Sequence, residues 1–316
     1  MLFCQSAEHW LNILKKMKTL VIGGAGFIGS HLVEELVKLK FDVVVLDNLS
    51  TGNINNLKLV KKKISFIKQD IRINKNLKEI LFDVDCIFHL AALSKVSESF
   101  QYPKKYYNNN VIGTKNILNS INKKKLKKII FTASASCYGN PKKIPTSENA
   151  KIQTLSPYAY SKWISEKMIM KCANKNKFNA ISLRLFNVYG SRSKASSSYS
   201  SVISIFLKRK KNRQKLTITG DGKQTRSFIH VKDVVNALIK SITLVKKNTI
   251  FNVGNSKSIS INEIAKVFKS KKKYVAARYG EPKYSSANIN KIKTKIGWKP
   301  KISIKKGIVQ LIKNLS

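Results

Sequence analysis

The stretch Leu20-Val21-Ile22-Gly23-Gly24-Ala25-Gly26-Phe27-Ile28-Gly29 decides how the rest of the chain reads. An apolar run stops at glycines and a helical pattern begins. Gly23, Gly26 and Gly29 stand three residues apart. That spacing allows a tight turn, close approach of backbone to a pyrophosphate, and tight packing of helix on strand. The N-terminus of the helix behind them would offer N–H groups and positive dipole to phosphates. Taken alone, a glycine-rich strand-to-helix turn can equally be only a turn, so its meaning depends on the residues elsewhere in the chain.

Ile28, Leu32, Val33, Leu36 and Val37 share one helical face. Residues 42–46 predict a second buried strand closing at Asp47, about twenty residues beyond the glycines, where a carboxylate can accept hydrogen bonds from an adenosine ribose. A 2′-phosphate would be repelled there, which favours NAD over NADP; the other reading is a surface Asp opening the Asp47-Asn48 turn. Residues 65–67 predict a third strand ending at Gln69-Asp70, residues 86–90 a fourth ending at Ala91-Ala92, residues 108–122 a helix, and residues 129–133 a fifth strand running into Ser134. Strands alternating with helices predict an α/β fold with a parallel sheet covered on both sides. Ligands of such sheets sit at the carboxyl ends of strands, where Gly23, Asp47, Asp70, Ala91 and Ser134 all fall.

A helix over residues 158–176, entered through Ser156-Pro157, places Tyr158 and Lys162 four apart on one face. A cation beside a phenol stabilises the phenolate and lowers its pKa from about 10. Tyr158 is thus a candidate general base on a hydroxyl, with Ser134 sharing the proton or holding that hydroxyl. A Tyr-x-x-x-Lys pair by itself is usually a solvated pair; the glycine turn and the strand-end Ser reverse that reading. Residues 180–189 predict a further strand. Beyond a Ser-rich loop at 191–201 the elements become smaller: helices over 202–210, 233–245, 261–269, 289–296 and 304–315, and strands over 216–219, 249–253 and 274–277. The division expected is an NAD-binding domain over 17–190 and a mainly substrate-binding domain over 191–316, some segments of which return to the first. Residues 1–16 are expected to be a dispensable extension, with Met17-Lys18 the natural start of the fold.

At 316 residues and 43% hydrophobic, the chain can bury one large or two modest cores. Sixty-one Lys and Arg against sixteen Asp and Glu give a formal charge of +45. The lysines come in short runs beside apolar segments rather than in one basic arm, which indicates a solvated lysine-rich surface; polyanion binding is the alternative. Cys4, Cys86, Cys137 and Cys172 form no Cys-x-x-Cys pair, and the four His show no metal-ligand spacing. A reducing cytoplasm and no metal are expected. No apolar run reaches the ~18 residues that span a bilayer, and residues 1–16 lack a clean signal-peptide layout.

With the glycines, Asp47, Ser134 and Tyr158-x-x-x-Lys162 assembled, the chain resembles the extended short-chain dehydrogenases, specifically the NAD-dependent sugar-nucleotide epimerase and dehydratase family. The match runs from about residue 18 to the C-terminus. It includes His89-Leu90-Ala91-Ala92, Asn110-Val111-Ile112-Gly113-Thr114, Leu185-Phe186-Asn187-Val188-Tyr189-Gly190, Gly220-Asp221-Gly222-Lys223-Gln224-Thr225-Arg226 and Asn252-Val253-Gly254. The resemblance implies a Rossmann-type doubly wound parallel sheet with a smaller C-terminal α/β substrate-binding domain. It implies NAD held by Gly23, Gly26, Phe27, Ile28, Gly29, Asp47, Asn48, Asp70, Ile71, Leu90, Ala91, Ala92, Asn110, Tyr158 and Lys162. Dehydratases of this family usually follow the strand-end hydroxyl with Asp-Glu, and the related decarboxylases carry a Glu there; this chain has Ala135 and Ser136. It therefore looks like a 4-epimerase, in which Tyr158 takes the proton from the sugar 4-hydroxyl while NAD is oxidant and then reductant. A dehydratase, decarboxylase or 4-ketoreductase is the alternative, and a non-catalytic NAD-sensing or polyanion-binding protein a distant one.

The resemblance also implies a UDP-sugar whose diphosphate meets Asn187, Arg226 and Arg278, with Glu281 near the uridine ribose. Ser285 corresponds to a gate of the hexose pocket, where a small residue leaves room for an acetamido group and a Tyr does not. UDP-N-acetylhexosamines or their uronic acids are therefore expected beside UDP-glucose and UDP-galactose. Ser227 replaces a usual Asp and Ser191-Arg192 a usual Pro-Arg, so the chain departs from the family around the sugar. Similar enzymes pair through helices matching residues 108–122 and 158–176, so a homodimer is expected.

Overall fold

The computed structural model describes residues 16–193, 201–244, 248–276 and 284–315. The expected extension, apart from Lys16, and residues 194–200 of the Ser-rich loop lie outside them. The described chain falls into two compact units. The first holds residues up to Ser134 with Ser156–Leu183 and Val235–Ile250; the second holds Ala135–Leu155, Arg184–Val234 and the residues from Phe251 onward.

The first unit is built on the apolar runs of the N-terminal half. They become β1 (Lys18–Ile22), β2 (Asp42–Asp47), β3 (Ser65–Lys68), β4 (Cys86–His89), β5 (Lys128–Ser134) and β6 (Asn179–Leu185). With β11 (Thr249–Val253) they form a seven-stranded sheet in the order β3-β2-β1-β4-β5-β6-β11. β1 pairs in parallel with both β2 and β4, and β2/β3 and β4/β5 are also parallel. The order reverses between β1 and β4, so a crevice opens at their carboxyl ends. Both faces are covered, which is why β1, β2 and β4 read as continuous rather than alternating apolar runs. Leu20, Ile22, Leu46, Ile87, Ile129 and Phe131 sit in that core at 0–1% exposure.

The helices of this unit are α1 (Phe27–Lys38), α2 (Leu77–Phe82), α3 (Val96–Gln101), α4 (Pro103–Tyr107), α5 (Gly113–Ser120) and α6 (Pro157–Lys175). The single helix expected over 108–122 is instead a π turn at Asn108–Ile112 followed by α5, and α3 and α4 precede it. The widened turn lies where the Asn110 carbonyl accepts the Thr114 and Ser165 hydroxyls at 2.6 and 2.9 Å, side-chain bonds that compete with the backbone ladder. Gly113 follows because a Cβ there would lie 2.6 Å from Ile71 Cδ1.

The strand expected over 180–189 divides at Phe186, whose N–H donates to the Val253 carbonyl at 2.9 Å. β6 stays in the large sheet, whereas β7 (Asn187–Tyr189) pairs in parallel with β10 (Phe228–His230). The remaining elements are α7 (Val202–Lys211), β8 (Leu216–Thr219), β9 (Thr225–Arg226), α8 (Val231–Ile242), β12 (Ile259–Ser260), α9 (Ile261–Phe268), β13 (Lys272–Val275), α10 (Asn290–Ile296) and α11 (Ile304–Lys313). Tyr189, Phe206, Leu216, Ile264, Phe268 and Ile308 form the second unit's core. No helix of the described residues is long and apolar enough to cross a membrane.

Candidate active site

The glycine stretch occupies the β1–α1 turn. Gly23 adopts φ +85°, and a Cβ there would lie 2.6 Å from the Ala91 nitrogen. A Cβ on Gly29 would lie 2.1 Å from the Gly23 carbonyl oxygen. These two glycines are therefore required by the turn itself. Gly26 differs: only the Gly23 carbonyl, at 3.2 Å, would meet its Cβ. Gly26 is also the N-cap of α1, with no side-chain cap, and its own N–H donates back to the Gly23 carbonyl at 3.2 Å. The first N–H groups of a helix have no intrahelical acceptor, so Phe27 and Ile28 present donors at a positive helix end. The β4 end is fixed beside them, since the Leu90 and Ala91 N–H groups both donate to the Ile22 carbonyl, at 2.8 and 2.9 Å. This cradle fits the pyrophosphate of a dinucleotide.

Asp47 closes β2 and is buried. Its carboxylate accepts the Ala25 N–H at 2.9 Å and the Leu49 N–H at 2.8 Å, tying the glycine turn to the strand end. Burial raises its pKa, and those two bonds oppose the rise. Asn48 donates to Asp70 at 2.9 Å, and Asp70 also takes Arg72 in a close pair at 2.7 Å. The hydrogen bond from Arg72 is the main reason the Asp70 carboxyl is held at about 2. Ile71 packs its side chain in the core, leaving backbone as its means of touching a cofactor. Asn110 is buried, its amide bracing Leu93 through both backbone groups, at 2.8 and 3.0 Å, and reaching the Ser161 hydroxyl at 2.9 Å. Its contribution is to fix the segment after Ala92.

Ser134 is the last residue of β5, and Tyr158 and Lys162 lie on the first turns of α6. Ser156 caps that helix by accepting the Ala159 N–H at 3.1 Å, and Pro157 pre-sets its first turn. Tyr158 is half-buried, with the Tyr106 ring edge-on at 6.5 Å. Lys162 is 3% exposed, its Nζ 4.2 Å from the centre of the Phe131 ring. Burial pulls its pKa down to about 7, and the charge of Glu166 works against that fall.

His89 lies behind the lysine. The Thr114 hydroxyl gives its one proton to the Asn110 carbonyl, so the 2.9 Å contact with His89 requires Nε2–H on the imidazole. Nδ1 is then bare, and it is buried without a hydrogen-bond partner among the described residues. Burial first and the Lys162 charge second push the His89 pKa down to about 3. The imidazole is neutral and adds no competing cation. Of this inner layer, Thr114 entered the sequence reading only as part of a family motif, and Ser161, Ser165 and Glu166 did not enter it. The available signal was the unbroken polar face of α6, where packing against a sheet predicts apolar residues.

In the second unit, Asn187 opens β7 and donates to the Ser227 carbonyl at 3.1 Å. Arg226 lies on β9, half-buried, opposite Ile259 of β12. Ser227 is fully buried and exchanges hydrogen bonds with Asn255, at 2.7 and 2.8 Å, so a small hydroxyl fills the place of the family's usual Asp. Ser285 is half-buried and precedes Ser286, whose hydroxyl donates to the Ser256 carbonyl at 2.7 Å. Arg278 and Glu281 lie outside the described residues.

Residues 19–254 match the NAD dependent epimerase/dehydratase family. The chain belongs to this family. Within it, the chain is 39% identical over 302 residues to a putative UDP-glucose 4-epimerase of Methanocaldococcus jannaschii, covering 93% of this chain and 96% of the relative. The structure of UDP-glucose 4-epimerase from Thermotoga maritima, solved with UDP-glucose, superposes with a TM-score of 0.88 at 32% identity, covering 94% of this chain and 98% of that one. A UDP-N-acetylglucosamine 4-epimerase from Methanobrevibacter ruminantium, in complex with UDP-N-acetylmuramic acid, gives a TM-score of 0.89 at 33% identity, over 95% and 98% of the two chains. The glycine turn, the doubly wound order and the Tyr-x-x-x-Lys helix are thus those of an NAD-dependent epimerase/dehydratase.

Proposed function

We propose that this chain interconverts the C4 epimers of a UDP-hexose. The observation that carries the reading is a Tyr158–Lys162 pair on α6, with Ser134 ending β5 of the same unit, followed by Ala135 and Ser136 where an eliminating or decarboxylating member would carry an acid. One base and one hydroxyl suffice for epimerisation. Tyr158 as phenolate takes the proton from the sugar 4-hydroxyl and later returns it; the Lys162 ammonium lowers the phenol's pKa for that task. Ser134 holds the same sugar oxygen through its hydroxyl. NAD, when bound, supplies reversible two-electron redox at C4. The N–H groups of Phe27 and Ile28, beside Gly26, would hold its pyrophosphate, and Asp47 would accept from its adenosine ribose.

Asn187, Arg226, Arg278 and Glu281 are assigned to the nucleotide diphosphate and uridine, guanidinium groups being suited to paired phosphate oxygens. Ser285, being small, admits acetylated as well as unacetylated hexoses. A homodimer forms through residues 108–122 and 158–176, the π turn with α5 and α6, where exposed Tyr107 and Tyr160 line a cavity of about 340 Å³ together with Pro103, Lys104, Asn108 and Pro157. Cys86, Cys137 and Cys172 are joined in no disulfide among the described residues, which suits a reducing cytoplasm.

The test is incubation of purified protein with UDP-glucose, UDP-galactose and their N-acetylated counterparts without added cofactor. C4 interconversion without net NADH is expected. A 4-keto product or carbon dioxide overturns the reading. Tyr158→Phe should lower turnover by about 100-fold or more while NAD stays bound.

A further inference from the structure

The catalytic lysine occupies an expensive position. Its Nζ lies over the Phe131 ring, and the side chain is 3% exposed. An ammonium so placed tends to shed its proton, and a neutral amine would not lower the Tyr158 pKa. Something in the fold must favour the charged form.

The groups around Lys162 come from α6 and the elements packed against it. β4 contributes His89, which is neutral. β5 contributes Phe131 and Ser134. α4 contributes Tyr106, whose phenol burial pushes up to about 12. α3 contributes Glu98, engaged by Lys95 at 3.4 Å and Lys105 at 3.2 Å. The π turn and α5 contribute the uncharged Asn110 and Thr114, and Lys115 of α5 faces solvent. α6 itself contributes Tyr158 and Glu166. Among the described residues of this set, Glu166 is the buried carboxylate, 3% exposed, one helical turn beyond Lys162 on the same face. It is fixed from β6 by the Ser182 hydroxyl, which donates to Oε2 at 2.7 Å.

We propose that Glu166 is a positioning residue that keeps Lys162 protonated, so that the base strength of Tyr158 originates in a buried carboxylate tethered to β6 by Ser182. The opposite charge makes the pair jointly neutral, which reduces the cost of burying either member. The direction agrees with the pKa of Lys162, brought to about 7 by burial with Glu166 as the opposing influence. A group poised there loses or keeps its charge within the working range, so a modest electrostatic change decides its state. The inference rests on the assignment of Tyr158 and Lys162 to proton transfer at the sugar 4-hydroxyl.

Glu166→Gln removes the charge and keeps an oxygen for the Ser182 hydroxyl to donate to. Two readouts separate its effects. NMR titration of protein carrying ¹³Cε-lysine, without sugar, should show the Lys162 resonance titrating about one pH unit or more below wild type. The alkaline limb of kcat/KM for C4 interconversion should fall with it, giving about tenfold or greater loss at pH 8 and recovery towards pH 6. Ser182→Ala removes the tether and keeps the charge, so a purely structural role predicts damage equal to that of Glu166→Gln, whereas the proposal predicts a smaller displacement of the limb. Glu166→Asp, with the carboxylate drawn back by one methylene, should give an intermediate titration and serves if the Gln variant does not fold. Wild-type titration in the folded Gln variant, or in the Asp variant if that alone folds, overturns the proposal. A shifted titration in protein whose wild type interconverts no UDP-sugar overturns only the function assigned to the site.

Discussion

Substitution of Gly26 and Gly23 by alanine separates cofactor binding from fold at a stretch where both functions overlap. At Gly26 the backbone is extended, with φ −75° and ψ −176°, and an added methyl meets only the Gly23 carbonyl at 3.2 Å. Replacing a glycine N-cap with alanine costs about 1 kcal/mol or less, which for a chain of this size lowers Tm by about 2 °C. A pyrophosphate held by the Phe27 and Ile28 N–H groups would approach the Gly26 backbone closely, and the added methyl would crowd it. Overpacking of that kind costs about 1–3 kcal/mol, or about 5- to 150-fold in NAD affinity. At Gly23 the same methyl would lie 2.6 Å from the Ala91 nitrogen on a backbone at φ +85°. The clash and the left-handed backbone together cost about 2–5 kcal/mol before any cofactor arrives. Calorimetric titration with NAD and thermal melts of the cofactor-stripped proteins measure the two effects. Gly26→Ala should melt near wild type and bind NAD weakly; Gly23→Ala should melt several degrees lower. A Gly26→Ala protein with wild-type NAD affinity would refute the reasoning, as would a Gly23→Ala protein with wild-type stability.

Two further outcomes concern single residues. Ser285→Tyr should remove turnover of the N-acetylated UDP-hexoses while sparing UDP-glucose and UDP-galactose; equal kcat/KM losses for both pairs would remove Ser285 from the sugar gate. Asp70, held at about 2 against an ordinary 3.8 by Arg72, contributes stability that is complete above the higher value and disappears as pH falls through the lower. Asp70→Asn should therefore show urea midpoints that change less between about pH 4 and pH 2 than wild type, and an unchanged acid dependence would place the effect elsewhere.

Much of the first unit was legible because its signals are local. β1 to β5 announce themselves as short apolar runs closed by Gly, Asp or Ala, and a parallel strand buried on both faces leaves no other pattern. The π turn at Asn108–Ile112 was not legible, because it sits where Thr114 and Ser165 hydroxyls converge on one carbonyl, and Ser165 lies 55 residues away. The break at Phe186 was equally hidden. Residues 180–189 are largely apolar, and only the partners of β6 and β7, one in the large sheet and one beside β10, divide them.

The sequence by itself determined the alternation of strands and helices, the glycine turn and the Tyr158–Lys162 spacing, since each is a local pattern of residue types. Tertiary structure decided the electrical state of those residues. Lys162 is poised because Phe131 of β5 covers it and Glu166 stands one turn along the same helical face, His89 is neutral because it is buried near that lysine's charge, and Gly26 is open where Gly23 and Gly29 are filled. Desolvation and close approach depend on which distant strands arrive, and a pattern of residue types does not carry that information.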